Sequence, residues 1–210
     1  MNKLIGWFQL ELPEMLDDLN EPAKLEQISN LEEKLDLKFP TSFKDLYLQH
    51  NGQKGEINTG FFYGLEFLTL DGVYDHWKQW AEIVNTEDDE GMKDLSMFSK
   101  SHVNGLIKEV YANKKWIPFA HDWGGNFLGI DFDPAEDGTH GQIINFGRDE
   151  DEKFVVAHSF SEFIEWYINE LENGNYDIVK EDDDGKSFNT RIPPSGHFLD
   201  AVSKIFNHNE

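Results

Sequence analysis

The stretch Trp116-Ile117-Pro118-Phe119-Ala120-His121-Asp122-Trp123-Gly124-Gly125-Asn126-Phe127-Leu128-Gly129-Ile130-Asp131 decides how this chain folds. Apolar residues flank a polar corner, and Gly124-Gly125 stands where the backbone has to reverse. The pattern predicts strand, tight turn, strand. The corner carries His121, Asp122, Asn126 and Asp131, with Trp116 and Trp123 beside it.

Working toward the C-terminus, the strand texture continues. Strands are predicted over 116–120, 126–132, 142–146 and 153–158, joined by a loop at Pro134 to Gly141 and an acidic turn at Gly147 to Glu152. Connections this short favour antiparallel neighbours. Ser159-Phe160-Ser161-Glu162 is a capping box. It opens a helix with Phe160, Ile164, Tyr167 and Leu171 on one face, stopped at Asn173-Gly174.

Toward the N-terminus the texture is helical. Residues 1–20 predict a short amphipathic helix, and Asn20 is placed to cap the next one, striped by Leu25, Ile28, Leu31 and Leu35. Pro40-Thr41 opens another helix, with Phe43, Leu46, Tyr47 and Leu48. Phe61 to Leu70 alternates as a strand with Phe61, Tyr63, Leu65 and Phe67 on one face. Asp71 then caps a helix carrying Val73, Trp77, Trp80 and Val84 as a core stripe. Residues 87–91 read as an acidic loop, and 92–115 as a helix or an irregular insertion. Helices, then a meander, then a helix give the α+β class rather than a parallel doubly wound fold. The chain divides into an N-terminal helical extension (1–22), the α+β domain (23–174, with an insertion at about 85–115) and an acidic C-terminal extension (175–210). In that last part Glu181 to Gly185 is a solvated turn and Ser195 caps a terminal helix.

Composition narrows the function classes. The 210 residues are 39% hydrophobic with 17 Phe and 6 Trp, enough for a core in one domain. The net charge is −23, from 18 basic and 41 acidic residues. That balance repels nucleic acid and anionic membrane and favours encounter with a basic protein partner. Cysteine is absent, which excludes disulfides and thiolate chemistry. No signal peptide or membrane span is read, so the expected location is the cytoplasm.

Motifs for catalysis fail one by one. Gly185-Lys186-Ser187 ends like a phosphate loop, but Lys180 stands where that motif needs glycine. Nothing has zinc spacing, and the acidic run from Asp131 lacks the glycine and terminal glutamate of a calcium loop. No cofactor or metal is expected. Asp131 and Asp133, two apart on a strand, form a carboxylate pair of the kind glycosidases use, or else are solvated strand-end groups. Asp122 and Asn126 either bond the turn amides or floor a groove between Trp116 and Trp123. Residues 149–184 hold 13 acidic residues against Lys153 and Lys180, which makes Asp149, Glu150 and Asp151 candidates for an electrostatic contact surface.

Four stretches carry a resemblance to the SUKH superfamily, which includes a fungal cell-wall assembly regulator and bacterial toxin-immunity proteins. They are Leu31 to Leu35 with Phe39 to Phe43 and Leu46 to Gly52; Phe61 to Leu70; Trp116 to Ala120 with Asp122 to Asn126 and Asp131; and Val155 to Phe163. The resemblance spans residues 23–173. It implies a central, mostly antiparallel sheet flanked by helices, and a binding protein without catalytic residues. The first expectation drawn from it is an immunity protein that neutralises a basic, nuclease-type toxin. The alternative is a regulatory scaffold for cell-wall or envelope synthesis, and a third reading is a carbohydrate hydrolase using Asp131 and Asp133. The expected partner contacts are Trp116, Asp122, Trp123, Asn126, Asp131, Asp149, Glu150 and Asp151.

Overall fold

The computed structural model describes residues 2–180 and 185–207. The chain opens with helices α1 (Asn2–Glu11), α2 (Pro13–Asp17), α3 (Leu25–Leu35) and α4 (Thr41–Tyr47), then strand β1 (Glu66–Phe67) and helices α5 (Leu70–Thr86) and α6 (Asp89–Leu95). Strands follow: β2 (Lys100–Ser101), β3 (Trp116–His121), β4 (Asn126–Asp131), β5 (Gln142–Gly147), β6 (Glu152–Lys153) and β7 (Val155–Ala157). Helix α7 (Phe160–Glu172), the hairpin β8 (Asp177–Lys180) with β9 (Lys186–Asn189), and α8 (Phe198–Ile205) complete it. The central sheet runs β1-β3-β4-β5-β7 and every pair in it is antiparallel. The α+β class and the antiparallel meander are as the sequence predicts.

The hairpin β3–β4 is the middle of this sheet, and every residue of β3, β4 and β5 is buried. A sheet covered on both faces needs apolar side chains pointing both ways. Ile117, Phe119, Leu128, Ile130 and Ile143 face the main core, which also takes Phe160, Phe163 and Tyr167 of α7. Trp116, Phe127, Ile144 and Phe146 face a second, smaller core with Trp80 of α5 and Ile107. Gly129 is required at the middle of β4. A Cβ there would lie 2.4 Å from the Phe146 ring and 2.8 Å from the Ile117 carbonyl.

Several local expectations change. The Phe61–Leu70 strand shrinks to Glu66–Phe67, because Tyr63 (φ 49°) and Gly64 (φ 85°) turn the backbone and fold the aromatic run inward. Phe61, Phe62, Tyr63, Leu65 and Phe67 are all buried, so one-face alternation does not hold. The N-terminal helix is two helices, broken at Leu12-Pro13. Asn20 caps nothing: its amide donates to the carbonyls of Asn51 and Gln53. Thr69, not Asp71, caps α5 through the Gly72 amide. Trp77 is only partly buried, its indole N–H donating to the Lys114 carbonyl, and Leu25 is exposed. The acidic loop at 87–91 runs into α6, which Asp88 caps through the Gly91 amide. Ser159 caps α7 as expected, while the Glu162 carboxylate takes the His158 amide. The terminal helix starts after His197, not Ser195. The acidic run Glu181 to Asp184 lies outside the described residues.

The described residues of both extensions, 2–22, 175–180 and 185–207, contribute to the same core as the rest. Leu4 and Phe8 of α1, Phe188 of β9, and Phe198, Leu199 and Val202 of α8 all belong to the main apolar cluster. Trp7 stacks on Phe188, and Trp166 of α7 packs edge-on against Phe206. No helix among the described residues is long and apolar enough to cross a membrane.

Candidate interaction site

The turn between β3 and β4 is built around one carboxylate. Asp122 Oδ1 accepts the amides of Gly124 (2.7 Å) and Asn126 (2.9 Å), while Oδ2 accepts the Asn126 side-chain amide (2.8 Å). Asn126 in turn accepts the Asp149 amide at 2.8 Å and donates to the Asp149 carboxylate at 3.3 Å. The β5–β6 turn is therefore latched to the β3–β4 turn. His197, just ahead of α8, approaches Asp122 at 3.6 Å. Burial alone would push the Asp122 carboxyl up. The Asn126 and Gly124 donors and His197 outweigh it and hold the group below its usual range. Of the two roles open to Asp122 and Asn126, holding the turn is the one the hydrogen bonds display.

Trp123 is the part of this corner that faces outward. Its side chain is half exposed, yet its backbone is left-handed, at φ 59°. That conformation is costly for a bulky residue. Gly125, at φ 99°, takes the second left-handed position, so the turn uses a tryptophan where two glycines had been expected to do the work. The Trp123 amide donates to His121 Nδ1 at 3.0 Å. This leaves Nε2 of His121 as the donor to Glu66, 2.9 Å away across the β1–β3 pair. His76 of α5 lies against the His121 ring, with centroids 4.6 Å apart. Burial, and then His121, hold the His76 imidazole below its ordinary value.

Trp116 and Asp131 are not at this corner. They are register partners at the opposite end of the hairpin, five residues along β4 from Asn126, or about 17 Å. Parity also turns Asp131 to the other face from Asn126. Asp131 is wholly buried, accepting the Asp133 amide and the Gln142 side chain, each at 2.9 Å. Burial pushes its carboxyl up to about 6, the donors from Asp133 and Gln142 opposing it only in part. Asp133 is held by Lys108 (2.5 Å) and Asn113 (2.9 Å). The pair anchors the β4–β5 loop, and Asp131, wholly buried, is not open to a glycan as the second carboxylate of such a pair. Trp116 is buried under Lys153, whose ammonium sits 5.7 Å from the ring centroid. No groove runs between Trp116 and Trp123.

Among the acidic candidates, Asp149 joins the corner and is mostly exposed. Glu150 turns inward to the Asn145 amide. Burial pushes Glu150 up to about 7, Asn145 and Lys153 opposing this and Asp122 and Asp200 reinforcing it. Asp151 is exposed and its carbonyl accepts the Lys100 amide. Sequence reasoning missed Glu66, His76, His197 and Lys153. The first three come from distant segments and carry no local signal. Lys153 had one: it shares its parity with Val155, which packs against the second core on the face opposite Phe154. Its ammonium meets Ser99 Oγ and the Glu150 and Asp151 carbonyls, and burial depresses it to about 8.

The chain matches the SMI1 / KNR4 family (SUKH-1) over residues 22–166. It is 32% identical to "Cell wall assembly regulator SMI1" of Saccharomyces cerevisiae, over 85% of this chain and 41% of that protein. It is 29% identical to "Glucan synthesis regulatory protein" of Neurospora crassa, over 92% of this chain and 42% of that one. It is 31% identical to "Cell wall biosynthesis/cell cycle regulator smi1" of Schizosaccharomyces pombe, over 84% and 36%. The chain thus spans less than half the length of these relatives. Their names overturn the expectation of a toxin-neutralising immunity protein and favour its alternative, regulation of cell-wall synthesis. With the antiparallel sheet and the Trp123 corner in place, and the match covering most of its length, this chain belongs to the SMI1 / KNR4 family (SUKH-1).

Proposed function

We propose that this chain is the folded binding module of a regulator of cell wall assembly or glucan synthesis. It works by holding protein partners rather than by catalysis, and Trp123 is the side chain it offers them. The observation that carries this is Trp123 itself, half exposed at φ 59° on a turn pinned by Asp122, His121 and Asn126. Backbone strain of this kind survives only where the surroundings impose it, and it gathers at functional sites. A rigidly held indole at the surface is also the side chain most enriched among binding hot spots. The names of the relatives supply the process. The net charge of −23 favours partners with basic surfaces.

A chimera tests this. In a Saccharomyces cerevisiae strain lacking its cell wall assembly regulator SMI1, the matched region of that protein is replaced by this chain, and wall glucan is measured. The wild-type chimera is expected to restore glucan, and the Trp123→Ala chimera, at equal abundance and melting temperature, to fail. If the host's own region restores glucan and the wild-type chimera does not, the cell-wall reading is wrong. If both chimeras restore it equally, Trp123 is not the contact.

A further inference from the structure

Helix α6 and the turn after it are packed differently from the rest of the molecule. None of the seven residues of α6 is buried. A helix this short does not hold its shape through propensity alone and normally relies on an apolar face docked on something. Met92 packs against the edge of the second core, but the apolar side chains that follow it point outward. Met97 is 67% exposed, Phe98 beside it is 69% exposed, and Leu95 is exposed as well. An open groove of about 510 Å³ lies between α6 and the segment at Glu109-Val110, with Met92, Met97 and Val110 in its wall.

Asp89, Asp94 and Glu109 rim that groove, with Lys93 the one cation among its lining residues. Part of this acidity has a local explanation: Asp88 caps the helix, and Asp89 and Glu90 lie in its first turn, where the helix dipole favours negative charge. Asp94 lies in the last turn, where the dipole disfavours it, so helix stability does not account for it. Two main-chain amides on the Glu109-Val110 side are already taken and are not free to pair with an added strand. The Val110 amide bonds the Lys108 carbonyl, and the Tyr111 amide bonds Ser96 Oγ. What remains for recognition is side chains: two flexible methionines inside an acidic rim, with the exposed Phe98 next to Met97 in the chain.

We propose that this face, with Met92, Met97 and Phe98 as anchors and Asp89, Asp94 and Glu109 as its rim, docks a basic amphipathic helix of a partner protein. Charge selects that occupant. A second copy of this chain would bring another −23 against an acidic rim, and an anionic membrane would be repelled. A lysine-bearing helix satisfies the rim while its apolar face covers Met97 and Phe98. The assignment rests on the binding-module reading above and adds a second contact to Trp123.

The probe is a fluorescent 16-residue peptide with leucine at helical spacing and lysine elsewhere, set beside its glutamate counterpart. Binding to the whole chain is read by anisotropy, for the wild type, for Met97→Ser/Phe98→Ser, which leaves charge untouched, and for Asp94→Lys. Melting temperatures check folding. The lysine peptide is expected to bind the wild type and to lose roughly tenfold or more in affinity to each variant, the glutamate peptide not to bind, and amide-exchange protection to map to 89–110. Equal affinity for the wild type and Met97→Ser/Phe98→Ser would overturn the proposal, since the peptide would then be held by charge elsewhere. So would a wild-type dimer by sedimentation that the double variant makes monomeric, which would assign the face to a second copy. A chimera that fails on wall glucan while the peptide discrimination holds would sink the cell-wall reading and leave this docking face standing.

Discussion

Asp122 converts a glycine-rich turn into a rigid corner, because one carboxylate satisfies three donors at once. Asp122→Ala should therefore cost about 2–4 kcal/mol in urea unfolding, the range for stranding several partly buried donors. A loss under about 1 kcal/mol would mean that water replaces the carboxylate. Asp131 makes the opposite case. Its folded pKa of about 6 lies above its ordinary 3.8, so the folded state holds its proton more tightly. The stability this group contributes is full below about pH 4 and is lost as pH rises through about 6. Asp131→Asn is neutral throughout, so its stability relative to wild type should rise between pH 4 and 7 by an amount on the order of 3 kcal/mol. Glu150 titrates in both proteins and cancels from the difference. A flat difference across that range would refute the burial-driven shift. In sequence the two aspartates look alike. Only the bracketing of Gly124-Gly125 by Asp122 and Asn126 gave one of them a legible role.

Strand β4 shows why elements are read more easily than their surroundings. Its apolar residues and its flanking turn mark a strand at once, but whether one face or two is covered depends on α5 and on residues 106–112, far away in sequence. Gly129 records the outcome, standing where the Phe146 ring crosses the strand. Gly129→Ala should cost about 2–3 kcal/mol by overpacking, seen as a drop in the urea midpoint at unchanged slope. A neutral result would show that Phe146 turns aside freely. The segment Phe61 to Leu70 was misread for a related reason. Its aromatic residues are buried on every side, so their alternation carried no information, while the left-handed pair Tyr63-Gly64 set the chain's course.

Across the whole molecule, the C-terminal segment completes the core rather than hanging from it. Phe188 packs on Trp7, Phe198 on Tyr63, and Phe206 on Trp166. Burying each such side chain is worth about 1.5–3 kcal/mol, and a domain's net stability is only about 5–15 kcal/mol. A chain ended after Gly174 should therefore lose cooperative melting and expose apolar surface to dye. A sharp transition in 1–174 would show the segment to be dispensable. The same segment brings His197 to Asp122, so the end of the chain also takes part in the corner.

From the sequence alone came the β3–β4 hairpin, the antiparallel meander, the helix that Ser159 caps, the α+β class and the family resemblance. Each rests on interactions within a few residues: side-chain period, turn chemistry and capping. Tertiary structure alone decided which candidate residues share a place. Register and parity put Trp116 and Asp131 at the far end of the hairpin, both buried, and left Trp123 outside. Burial and charge environment are properties of what packs against a residue, and here those neighbours are Glu66, His76, Gln142 and His197, brought together by chain segments that carry no local sign of meeting.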